Sequence, residues 1–133
     1  MNIIPFLTYE DAPAALDWLT EAFGFERMEV HEGEGGTIVH AEMRFADGVI
    51  MLGSAGKNNL GMKTAKELGA VTQGVYSIVD DGLDAHYEQA VAAGAEIVLP
   101  LHDTDYGSRE YAVRDPEGNL WSFGTYRPEL PAE

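Results

Sequence analysis

DPEGNLWSFGTY, residues 115–126, reads as a tight turn feeding a strand. Asp115-Pro116-Glu117-Gly118 suits a type I turn with Gly118 left-handed, which pairs Asp115 with Asn119 and sets Ala112 opposite Ser122. Tyr111, Val113, Trp121 and Phe123 then share one face, and Ser122 falls on the other with Glu110, Ala112, Arg114, Leu120 and Gly124. An earlier stretch, DGVIMLG at 47–53, resembles EGNLWSFG at 117–124 with one residue inserted. EAFGFE at 21–26 matches VAAGAE at 91–96 at a shift of 70. The two echoes together suggest a duplicated unit.

The order of elements repeats in the same way. NIIPFLTY, 2–9, is a short apolar strand, and EDAPAALDWLTEAFGF, 10–25, a helix. Asp11 can cap that helix, Pro13 suits its first turn, and Ala15, Leu16, Leu19, Ala22 and Phe23 form one apolar face ending at Gly24. Strand-like runs follow at 25–32, 36–46 and 48–54, separated by GEGG and by Asp47-Gly48, a two-residue hairpin signal. Residues 55–72 form a glycine-broken polar linker with a helical turn expected around 63–68. Beyond it come a strand at 73–80, a helix at 81–94 with Leu83, Tyr87, Ala90 and Val91 on one face, and strands at 95–100, 108–114 and 119–126. The expected fold is α+β: two βαβββ modules, about 1–54 and 73–127, in one domain, with a short tail at 128–133.

In the first module, an Asp47-Gly48 loop pairs Phe45 with Ile50 and Met43 with Leu52. Ala41, Met43, Phe45, Ile50 and Leu52 make a helix-facing side. His40, Glu42, Arg44, Val49 and Met51 make a mixed side that would be wasteful in a packed core. Arg44 and Arg114, 70 apart, take equivalent places. Curved sheets would line a cleft with these second faces.

Bulk composition narrows the function classes. The 133 residues fit one domain, and a 45% hydrophobic share can build its core. A formal charge of −15 repels nucleic acid and anionic membranes and would steer in a cationic partner, although its first reading is a solvated surface. The absence of cysteine excludes disulfides and thiol nucleophiles. The N-terminus has neither a basic start nor a long apolar run, no window approaches a membrane span, and the cytoplasm is the expected location. GEGG lacks the lysine and helix of a phosphate loop, and no nucleophile-elbow motif occurs.

YGSREYAVRDPEGNLWSFGTY, 106–126, and VYSIVDDGLDAHYEQAVAAGAEI, 75–97, are similar to the vicinal oxygen chelate superfamily, which includes glyoxalase I, bleomycin resistance proteins and extradiol dioxygenases. The resemblance covers nearly all of 1–127. It implies eight strands around a concave site, often completed by dimerisation, with a metal ligand, His or Glu, on the first and last strand of each module. Those four positions here are Ile4, Met51, Val75 and Ser122, and none is His, Asp or Glu. Apolar side chains donate no lone pair to a hard divalent ion, and a neutral hydroxyl is a weak ligand. No metal or other cofactor is expected, and ordinary glyoxalase chemistry lacks its Lewis acid.

The expected ligand-binding residues are Phe6, Arg44, Met51, Val75, Tyr106, Arg114 and Ser122. His40, Glu42 and Glu110 are the candidates for an acid–base or relocated metal site, with solvated or ion-paired roles as the plainer reading. Arg44 and Arg114 would clamp a carboxylate or balance Glu42 and Glu110. Arg109 reads as a brace, Trp18 and Trp121 as core or interface, and His31, His86 and His102 as exposed. The expected function is metal-independent binding of a small molecule in the concave cleft of a homodimer, with cationic or aromatic antibiotics as the leading class. Two alternatives stand beside it: a lyase, isomerase or dioxygenase with a non-standard site, and a structural or regulatory module without a small ligand.

Overall fold

The computed structural model describes residues 2–132. It contains β1 (Phe6–Tyr9), α1 (Ala12–Phe23), β2 (Glu26–Glu32), β3 (Ile38–Phe45) and β4 (Gly48–Ser54). After a linker carrying α2 (Ala65–Leu68) come β5 (Gly74–Ile78), α3 (Leu83–Ala92), β6 (Glu96–Asp103), β7 (Arg109–Arg114) and β8 (Leu120–Gly124). The strands make two four-stranded sheets ordered β1-β4-β3-β2 and β5-β8-β7-β6, with β1 parallel to β4 and β5 parallel to β8. This is the α+β, twice-repeated βαβββ architecture expected from the echoes. Among the described residues no helix is long and apolar enough to cross a membrane.

The repeat extends to side-chain contacts. Glu26 pairs with Arg44 at 3.1 Å, and 70 positions later Glu96 pairs with Arg114 at 3.0 Å. These arginines are therefore balanced from β2 and β6, by the strand neighbours directly opposite, and not by Glu42 and Glu110 as expected. α1 starts as read: the Asp11 carboxylate accepts from the Ala14 N–H, Pro13 stands in the first turn, and Gly24 closes the helix at φ 78°.

Three local expectations change. Phe45 pairs with Gly48, so the β3–β4 loop is Ala46-Asp47, with Ala46 at φ 54°. The pairing differs by two residues, which leaves each side chain on its expected face, so burial does not oppose it. Val91 of α3 is exposed, because Leu83 and Ala90 fill the contact. His86, expected in solvent, is partly buried between the modules.

Both sheets turn their helix-facing sides toward one shared core. The ring of Phe45 lies 6.1 Å from that of Phe123, Phe25 lies 5.6 Å from Trp121, and Phe23 of α1 lies 4.6 Å from Phe123 of β8. Trp18 donates its indole N–H to Ala93 O at 2.9 Å, tying α1 to the end of α3. Arg109 braces as read, bonding Asp84 of α3 at 3.0 Å and Asp103 of β6 at 2.9 Å.

The turn quoted first joins the modules. Buried Asp115 accepts from the Tyr9 hydroxyl at 2.7 Å and the Trp121 indole at 3.0 Å, and its other oxygen accepts from the N–H groups of Glu117 and Asn119. Burial and the Asp115 charge hold the Tyr9 phenol well above its ordinary pKa. The Glu117 carboxylate accepts from the N–H groups of Glu10 and Asp11 at 2.8 and 2.9 Å, just ahead of α1.

Candidate functional site: two outward sheet faces

A sheet side that faces the shared core leaves its other side outward. On the first sheet Phe6 lies opposite Met51 on the parallel β1–β4 pair, and Glu42 lies opposite Met51 on β3. Phe6, His40, Met51 and Gly53, with Lys57 and Leu60 from the following loop, line a cavity of about 270 Å³. His40 Nε2 stands 2.9 Å from Glu42 Oε2.

On the second sheet Ser122 lies opposite Ala112 as the turn geometry required. Its hydroxyl donates to Tyr111 O at 3.3 Å, so the group is partnered by backbone. Val75, expected beside Ser122, pairs with Trp121 and packs against the core; Tyr76 takes the place next to Ser122. Tyr76 also stands 70 positions after Phe6, so the repeat spacing itself points to it.

Tyr76 is the centre of a group in which Tyr106 and Glu110 were expected from the sequence and Tyr76 and Tyr126 were not. Its hydroxyl donates to Tyr126 O at 2.7 Å, the Tyr126 ring meets Tyr106 edge-on at 5.9 Å, and the Tyr106 hydroxyl reaches Glu110 Oε2 at 3.3 Å. Burial, and then the Glu110 charge, raise the Tyr76 pKa, so the phenol stays neutral and keeps the proton it donates to Tyr126 O. His102 Nε2 lies 4.0 Å from Glu110 Oε1. Gly124 makes room for this arrangement, since a Cβ there would fall 2.8 Å from the Tyr76 hydroxyl and 2.9 Å from the Glu110 Cβ.

His40 and Glu42 lie on one outward face and Glu110 on the other, with the shared core between them, so one chain does not assemble them into an acid–base set. Arg44 and Arg114 are held by Glu26 and Glu96 at the borders of their sheets. Ile4 lines another cavity, of about 540 Å³, beside the edges of β1 and β5 and under the linker with α2.

A divalent metal at the position implied by the family would have to be held from Ile4, Met51, Ser122 and either Val75 or Tyr76. These supply a thioether, a hydroxyl and at most a neutral phenol, a set that does not fit a hard or borderline divalent ion. Among the described residues no three His, Asp or Glu side chains converge on one point.

The model of the Glyoxalase/Bleomycin resistance protein/Dioxygenase superfamily matches residues 4–123. An uncharacterized protein of Mycobacterium bovis is 33% identical over 122 residues, covering 90% of this chain and 80% of that protein. The crystal structure of TioX from Micromonospora sp. ML1 superposes with a TM-score of 0.76 at 32% identity, over 98% of this chain and all of that one. The fosfomycin resistance protein FosX from Mesorhizobium loti shares the fold at 12% identity and a TM-score of 0.66, over 96% of this chain and 92% of that one. With the family model spanning both sheets and their helices, the chain belongs to the Glyoxalase/Bleomycin resistance protein/Dioxygenase superfamily.

Proposed function

We propose that the protein binds a small molecule on its outward sheet faces without a metal at their centre, and that a cationic, aromatic antibiotic is the leading ligand class. The observation carrying this reading is the run of contacts from Tyr76 to the Tyr126 carbonyl, from the Tyr126 ring to that of Tyr106, and from the Tyr106 hydroxyl to the Glu110 carboxylate. Three aromatic rings and one negative charge suit an alkylated ammonium or guanidinium group, which gains cation–π attraction as it loses water. The net charge of −15 favours the approach of such a ligand. Bleomycin resistance proteins, named in the family description, fit the same class.

A homodimer belongs to this proposal. Each outward face offers only half a concavity, and β1 and β5 are edge strands beside an open groove. A second copy set against those edges would join a first-sheet face of one chain to a second-sheet face of the other. The cytoplasm is the proposed location.

Bleomycin and benzoate serve as opposed probes in thermal denaturation. Bleomycin should raise the melting temperature, the gain approaching about 2.7 kcal/mol at a hundredfold excess over Kd, whereas benzoate should not. Tyr106→Ala and Glu110→Gln should each weaken the bleomycin response. A response to neither probe, or an equal response to both, overturns the reading.

A further inference from the structure

We propose that His102 acts with Glu110 as a pair of hydrogen-bond acceptors, and that the pair restricts the cation taken by the second outward face to one with two or more N–H groups: an amidinium, a guanidinium or a primary ammonium. This inference rests on the reading of that face as a cation site and narrows it from charge to headgroup. His102 of β6 lies directly opposite Glu110 of β7 in antiparallel register, so both side chains leave the sheet on one side. The register is irregular between Leu99 and His102, a bulge of the kind that re-aims side chains beside a site.

The backbone fixes the tautomer of His102. Its Nδ1 lies 2.7 Å from the Pro100 carbonyl oxygen, which only accepts, so Nδ1 carries the hydrogen. In the neutral imidazole Nε2 is then a bare lone pair, and it stands 4.0 Å from Glu110 Oε1. Two acceptors cannot bond each other, and a donor from outside satisfies both. The second Glu110 oxygen is already engaged, since Oε2 accepts from the Tyr106 hydroxyl at 3.3 Å. The neighbouring Tyr76 commits its proton to Tyr126 O. Among the described residues no lysine or arginine pairs with Glu110: Arg109 is held by Asp84 and Asp103, Arg114 by Glu96 and Arg127 by Asp80. With its side chain only 22% exposed, Glu110 is a carboxylate short of a counter-charge, while His102 at 39% leaves the pair open to a ligand.

A single nitrogen about 2.9 Å from each acceptor spans that 4.0 Å gap with its two N–H groups about 90° apart, so one headgroup can meet both. The bond to the carboxylate is charge-assisted and the stronger of the two. A quaternary ammonium keeps its charge and its attraction to the tyrosine rings, but it offers no hydrogen to Nε2.

Benzamidine and phenyltrimethylammonium share a phenyl ring and a single positive charge and differ in their N–H groups. Titrated calorimetrically into the full chain at about pH 8, where an ordinary imidazole is neutral, benzamidine should bind about tenfold or more tightly. His102→Phe keeps a flat ring and removes the acceptor, and it should bring the two affinities together. His31→Phe, at an exposed position on the other sheet, should leave their ratio as in wild type. The ratio is taken within one protein, so a loss of folded material cancels from it. Equal affinities in wild type, or a ratio that survives His102→Phe, overturn the inference and leave the cation reading standing. Binding of neither cation also overturns it, and an absent bleomycin response would then bring down the cation reading as well.

Discussion

The two sheets share a plan and differ in what they show to solvent. Inside, each sends aromatic or aliphatic groups into a common core, where Phe45 of the first sheet and Phe123 of the second are near neighbours. Outside, the first carries Phe6, Met51, two histidines and their glutamates, and the second carries tyrosines around Glu110 beside a small, partnered Ser122. The equivalent aromatic positions, Phe6 and Tyr76, differ by the hydroxyl that lets Tyr76 fasten the segment after β8 through Tyr126 O. Interior positions constrain one another across both modules. The outer faces carry no such mutual constraint, so chemistry can diverge there without loss of the core.

The corners that close the two last hairpins offer the strongest test of this contrast. Asp115→Ala strands the Tyr9 hydroxyl and the Trp121 indole in the interior and should cost about 2–4 kcal/mol in chemical denaturation. Asp47→Ala, at the exposed loop of the first module, should change stability by less than about 0.5 kcal/mol. Equal costs would mean that the turn at 115–118 does not couple the modules.

His86 sharpens the same comparison through pH. Burial lowers its pKa below the ordinary 6.5, while its ring reaches the Tyr111 hydroxyl at 2.6 Å and Phe23 O at 2.8 Å. The imidazole is thus held neutral, donating to the Phe23 carbonyl and accepting from the phenol, and burial keeps that phenol protonated by raising its own pKa. A depressed folded pKa means that the unfolded chain takes up the proton first. Stability is therefore full above about pH 6.5 and falls as pH drops toward the folded value. Denaturation at pH 7.5 and 5.5 should show this decline in wild type and a flatter profile in His86→Gln.

The smallest effect should be the most symmetrical. Arg44→Ala and Arg114→Ala each remove an exposed ion pair, with Glu26 and Glu96, and should each cost about 0–1 kcal/mol. A large difference between them would break the equivalence of the two borders.

Most of the fold was legible because capping and periodicity agree locally. Asp11, Pro13 and Gly24 bracket α1, and Asp115 through Gly118 set the β7–β8 register. The site was less legible. β5 and the residue after it have apolar groups at both parities, with Val75 and Val79 on one and Tyr76 and Ile78 on the other, so alternation alone does not tell which side meets the helix. Packing against Trp121 decides it for Val75. His86 and the separation of His40 from Glu110 depend on how the modules dock, which no spacing within either module encodes.

The carboxylate of Glu117 has a consequence for how the molecule comes together. Asp11 supplies one negative charge at the start of α1 locally, and a second, Glu117, reaches the N–H groups of Glu10 and Asp11 from more than a hundred positions downstream. The helix therefore completes its favourable end only after the far corner has docked. Nascent chains would hold this segment provisionally, and unfolding should proceed as one cooperative event in which neither half survives the other.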